Sequence, residues 1–135
     1  MTIRNNQRNG DYKVKKYIDI IRKTLDLADT CLQGLEHVKT CINKGRFEDG
    51  LIMLHDSVQG YYHMEKALVP VLAKLPANGM GPLSEALRNA LDAVISIQER
   101  GERAKVLELM QFSVVPAYKK WHTELNRCLR PYVAS

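Results

Sequence analysis

A chain of 135 residues has the length of one domain and can bury a real core, and its 45% hydrophobic and 26% charged residues exclude disorder over most of it. No run approaches the ~18 uninterrupted apolar residues of a spanning helix, and the first thirty residues lack an apolar stretch closed by a small-residue cleavage site, so a cytoplasmic protein is expected. The net charge is +5, and all of the excess lies in residues 1 to 23, where seven basic side chains face only Asp11 and Asp19.

Met1 to Gly10 is rich in Asn and Arg and reads as a flexible basic arm before a single helical domain over residues 11–135. Such an arm attracts nucleic acid, an acidic protein or an anionic lipid surface over roughly a Debye length, ~8 Å at physiological salt. Only Tyr12 and Tyr17 accompany the charges and no groove-reading motif is present, which argues against nucleic acid as the partner.

From Asp11, a good N-cap residue, the apolar series Val14, Ile18, Ile21, Leu25, Ala28, Leu32, Leu35, Val38 and Ile42 predicts a helix to Lys44, with Gly45 free to take the left-handed closing conformation. Gly34 lies inside this helix, and a close crossing by a neighbour would account for it. The second helix, Phe47 to Leu75, has its apolar seam at Phe47, Leu51, Leu54, Val58, Tyr61, Leu68, Leu72 and Leu75. So short a turn makes residues 11–75 an antiparallel hairpin.

Residues 76–82 (Pro-Ala-Asn-Gly-Met-Gly-Pro) form the one extended turn-rich segment, with Pro82 suited to the first helical position. A second hairpin, 83–132, follows. Its first helix carries Leu83, Leu87, Leu91, Val94 and Ile97 and ends near Arg100-Gly101. Its second carries Leu107, Met110, Val114, Ala117, Trp121, Leu125, Cys128 and Tyr132. A gapless echo between Met64–Leu75 and Met110–Trp121 shares Met, Val, Pro and Lys, which would suit two duplicated hairpins.

Three features stand out of this pattern. Glu65 occupies a seam position, where it is either a carboxylate in an internal polar pocket or, if the seam shifts after Val58 to Tyr62, Val69 and Leu72, an edge residue paired with a Tyr hydroxyl or a Lys. Pro70 and Pro116 remove a donor inside their helices and are expected to bend them, freeing the carbonyls of Lys66 and Phe112. Tyr61, Tyr62, Tyr118 and Trp121 lie near these bends and either close the core or line a groove for a partner.

The segment Val106-Leu-Glu-Leu-Met-Gln-Phe-Ser-Val-Val-Pro-Ala-Tyr-Lys-Lys-Trp121, together with Asn43-Lys-Gly-Arg-Phe-Glu-Asp-Gly-Leu51, resembles a pattern in small uncharacterised helical-bundle proteins of Gram-positive bacteria. The resemblance implies a helical bundle and supplies no catalytic residues.

Catalytic chemistry finds little support. A carboxylate-bridged metal bundle needs Glu-x-x-His turns, and none occurs, so His37, His55, His63 and His122 read as structural or surface residues. Cys31, Cys41 and Cys128 are odd in number, without a CxxC pair, and read as small buried hydrophobes. No haem attachment motif, phosphate loop or nucleophile elbow is present. The expectation is an all-α, up-down-up-down four-helix bundle without cofactor or metal, acting as a non-catalytic adaptor or small chaperone that binds a helical segment through the aromatic groove. A ligand- or metal-binding bundle enzyme is the rival reading, and an anionic-surface or nucleic-acid binder acting through the arm is the third. The partner's identity stays open, as does homodimer formation.

Overall fold

The computed structural model describes residues 14–134, so the arm and the cap expected at Asp11 lie outside the described residues. Helix α1 spans Ile18–Asn43, α2 Phe47–Leu72, α3 Met80–Glu99, α4 Arg103–Leu109 and α5 Val115–Val133, with a π-helical turn, Met110–Val114, joining α4 to α5 into one rod. The result is an all-α four-helix bundle with no strand among the described residues, and no helix in them is long and apolar enough to cross a membrane.

Both hairpins close in the same way. Gly45 and Gly101 take φ of 77° and 74°, which a side chain would resist. In each case the glycine N–H bonds a carbonyl three residues back, and the next N–H reaches one five back: Gly45 to Ile42 and Arg46 to Cys41, then Gly101 to Gln98 and Glu102 to Ile97. These are Schellman closures. The sequence echo does not superpose these turns, since Pro70 lies 25 residues beyond Gly45 and Pro116 only 15 beyond Gly101.

The start of α3 differs from expectation. It begins at Met80 because the Asn78 side chain accepts the Met80 N–H at 2.9 Å and the Glu124 carboxylate accepts the Gly79 N–H at 2.7 Å. Two of the unpaired donors of a helix start are thereby satisfied before Pro82, which falls within the first turn where no donor is needed. Helix α2 likewise closes at Leu72 rather than Leu75, followed by turn bonds from Lys74 to Val71 and Leu75 to Leu72.

The seam of α2 is also displaced. Its buried residues are Gly50, Leu54, Ser57, Tyr61, Met64, Leu68 and Val71, a regular alternation of four and three. Reading by hydrophobicity passed over Gly50 and Ser57, which are small because α1 crosses there. A Cβ at Gly34 would sit 2.8 Å from Ser57 Oγ, and one at Gly50 3.3 Å from Cys41 Cβ. The close crossing expected at Gly34 is present. Val69 is 63% exposed and Tyr62 38%, so the seam does not move onto them; it passes through Met64, and Glu65 falls beside it.

Going round the bundle, α1 packs on α2 and α5, and α3 packs on α5 and α4, meeting α2 through side chains. The α2–α3 edge is sewn largely by polar pairs in antiparallel order: His55 with Gln98 at 3.2 Å, Tyr62 with Asp92 at 3.1 Å, and Glu65 with Arg88. The core runs unbroken through Ile21, Leu25, Leu35, Leu54, Leu68, Leu87, Leu91 and Leu125, with no buried side-chain N or O lacking a partner among the described residues.

Candidate partner-binding surface

The four aromatic residues expected to line a groove divide three to one. Tyr61, Tyr118 and Trp121 are at most 1% exposed and pack as one cluster, Trp121 edge-on to Tyr61 at 5.2 Å and tilted against Tyr118 at 5.3 Å. Each polar tip has a partner across a helix boundary. Tyr118 donates to the Ala28 carbonyl at 2.7 Å, Trp121 Nε1 to Ser84 Oγ at 3.2 Å, and Tyr61 to the Ser84 carbonyl at 3.4 Å. Burial pushes the Tyr61 and Tyr118 hydroxyls far above the ordinary tyrosine range. The aromatic groove is therefore corrected to a closed core cluster: helical periods of 3 and 4 aim all three rings inward. Tyr62 alone reaches solvent, and burial with the Asp92 bond raises its hydroxyl pKa.

Glu65 lies at the α2–α3 edge, its side chain 21% exposed and paired with the Arg88 guanidinium. An internal polar pocket is ruled out at this residue, and the partner is an Arg rather than the Tyr or Lys expected. The two prolines diverge. Pro70 is exposed, and α2 continues for two residues beyond it, so the carbonyl it leaves unpaired lies on the wet side. At Pro116 the ladder itself changes. The Val115 N–H reaches back five residues to the Met110 carbonyl, and the widened turn places both Val114 and Val115 in the core immediately before the proline.

Several titratable groups of the described residues pair across helix boundaries. His122 bonds Asp29 at 2.7 Å between α5 and α1, and Asn126 donates to the His122 carbonyl at 2.9 Å. The Cys31 thiol donates to the Ser57 carbonyl at 3.3 Å, and burial raises its pKa. Cys41 is buried, Cys128 half-buried, and all three thiols are free. Among the described residues no group of three or more His, Cys, Asp or Glu is placed to hold a metal ion. Lys15, Lys16, Arg22 and Lys23 are exposed around the start of α1, and Asp19 and Asp26 stand among them.

The outer face between α3 and the π turn is different in kind. Phe112, 72% exposed, is the most exposed large hydrophobic side chain among the described residues. It lines a cavity of about 410 Å³ whose α3 wall is Leu83, Ala86, Asn89, Ala90 and Ala93 and whose opposite wall is Ser113, Pro116, Ala117 and Lys120. A second cavity, lined by Leu83, Lys119, Lys120, Thr123 and Glu124, shares Leu83 and Lys120 with the first, so the two form one groove. From residue 112 to residue 124 it extends for ~18 Å at the helical rise. The α3 wall is built mostly of small side chains, and Phe112 stands beside them as a large exposed ring. Sequence reasoning passed over Phe112 except for its carbonyl. The available signal was its position off the seam Met110, Val114, Ala117 and Trp121, where a buried ring has no place.

Residues 19–124 match a family described as a domain of unknown function (DUF8042). No curated protein matches the chain, and no solved structure does.

Proposed function

We propose that this chain, which belongs to the DUF8042 family, is a non-catalytic interaction protein of the bacterial cytoplasm, an adaptor or small chaperone that receives a helical segment of a protein partner in the α3–α5 groove. The observation that carries the reading is Phe112, a large apolar ring exposed on the π turn at the edge of a largely apolar cavity with three alanines in its α3 wall. Leaving such a ring exposed forgoes about 1.5–3 kcal/mol of burial, which a partner can recover. The groove is shallow and lined by small residues on one side, a surface against which one face of an amphipathic helix can lie. The free thiols agree with a reducing compartment.

The test is site-specific photo-crosslinking in the full chain, expressed in its native cells. A photoreactive residue at position 112 is expected to give one discrete adduct with another protein. The same residue at exposed Ile52, on α2, is expected to give none. Equal labelling from both positions, or no adduct from position 112, would overturn the reading.

A further inference from the structure

We infer that the segment received by the α3–α5 groove is an acidic amphipathic helix, its apolar residues set against Phe112 and the alanine wall and its carboxylates toward Lys120. The inference rests on the interaction reading above and adds the partner's chemistry. Lys120 lines both stretches of the groove and is exposed, and no ion pair engages it among the described residues. The other charges there are committed. Lys119 reaches Glu36 at 3.2 Å, and Glu124 is held by the Gly79 N–H and by Arg127.

Beyond Lys120 the balance of α5 as a whole is positive, although Lys119 and Arg127 are paired and neither Arg127 nor Arg130 lines the groove. The exposed charges of α5 are Lys119, Lys120, Arg127 and Arg130, and its one carboxylate is the half-buried Glu124. On the α3 side the lining polar group is the neutral Asn89; Asp92 accepts the Tyr62 hydroxyl, and Glu85 does not line the groove. A docked helix therefore meets the unpaired charge of Lys120 along α5 and no charge among the lining residues of α3, which favours Asp or Glu on the flank of its apolar stripe that faces Lys120. The ~18 Å length corresponds to about three turns, enough for apolar anchors at i, i+3 or i+4, and i+7.

The experiment uses the full chain and a displayed library of helical peptides with a fixed apolar stripe and flanks randomised among acidic, neutral and basic residues. Binders lost on Phe112→Ser are retained for sequencing, and the variant's helical spectrum and melting temperature are compared with the parent's. The expected result is enrichment of Asp and Glu on one flank, binding at least about tenfold weaker to Lys120→Glu, and recovery when the peptide's acidic flank is changed to Lys. Phe112-dependent binders with neutral or basic flanks, or equal affinity for Lys120→Glu, would overturn the acidic assignment and leave the interaction reading standing. No Phe112-dependent binder at all would overturn both. Sedimentation of the chain alone and flotation with phosphatidylglycerol vesicles complete the test: a dimer dissociated by Phe112→Ser, or vesicle binding abolished by it, would give the groove to a second copy or to a lipid surface instead.

Discussion

Two aromatic residues nine positions apart on the same rod show how little residue type alone decides. Trp121 fills a sealed site between Tyr61 and Tyr118, whereas Phe112 lies in solvent. Trp121→Ala should therefore lower stability by about 3–5 kcal/mol, and Phe112→Ala by less than about 0.5 kcal/mol, as read from denaturant midpoints. Comparable losses at both would mean that Phe112 is packed. Gly34 permits a sharper test. Alanine there gains ~1 kcal/mol of helix propensity, but its Cβ would meet Ser57 Oγ at 2.8 Å, and overpacking costs about 1–3 kcal/mol. Gly34→Ala should destabilise the parent and turn neutral or stabilising once Ser57→Ala has removed the hydroxyl, giving a coupling of ~1 kcal/mol or more in a double-mutant cycle. Additive effects would count against the close crossing.

At the scale of elements, periodicity made all four rods and both glycine-closed turns legible, because a 3-4 apolar repeat and a glycine after it are local signals. What escaped was tertiary in origin. The α2 seam includes Gly50 and Ser57 because α1 needs space there, and no hydropathy pattern records a neighbour's demand for a small residue. The start of α3 moved to Met80 because Glu124, 45 residues downstream of Gly79, supplies a cap. That contact is open to titration. Arg127, with the Gly79 N–H, holds the Glu124 carboxyl at about 2, below its ordinary 4.5. A carboxylate depressed on folding contributes stability that is complete above its unfolded pKa and lost as pH falls toward the folded value. Melting temperatures of the parent should therefore decline between pH 4.5 and about 2, and Glu124→Gln should be less stable at neutral pH with a shallower decline across that window. An unchanged acid limb in the variant would show that the staple carries no weight.

For the whole molecule, the aromatic cluster makes the two hairpins mutually dependent: Tyr61 belongs to the first, Trp121 to the second, and Tyr118 reaches across to the Ala28 carbonyl of α1. Folding should then be all-or-none. The emission of Trp121, the single tryptophan, should shift to the red on unfolding, over the same denaturant range in which helical circular dichroism is lost. Separate transitions would mean that one hairpin survives the other. The candidate surface emerged from the sequence only in part. A helical bundle follows from composition and period, but which apolar residues it leaves exposed depends on which way each ring turns. Residue spacing in the second helix of the second hairpin misleads on that point, because the π turn puts Val114 and Val115 both inward and carries Tyr118 into the core in place of Ala117.

The π turn also limits how this chain can change in length. Each residue of an α-helix advances the side-chain direction by about 100°, so removing one residue between Met110 and Val114 would rotate everything after it relative to α4. Val106 and Met110 could then keep their places only if Tyr118, Trp121 and Leu125 lost theirs. Insertions at the exposed turns around Gly45 or Gly101 disturb no such alignment. Descendants of this sequence should therefore vary in length at the ends of the rods, and keep the number of residues between Met110 and Pro116 fixed even where the residues themselves differ.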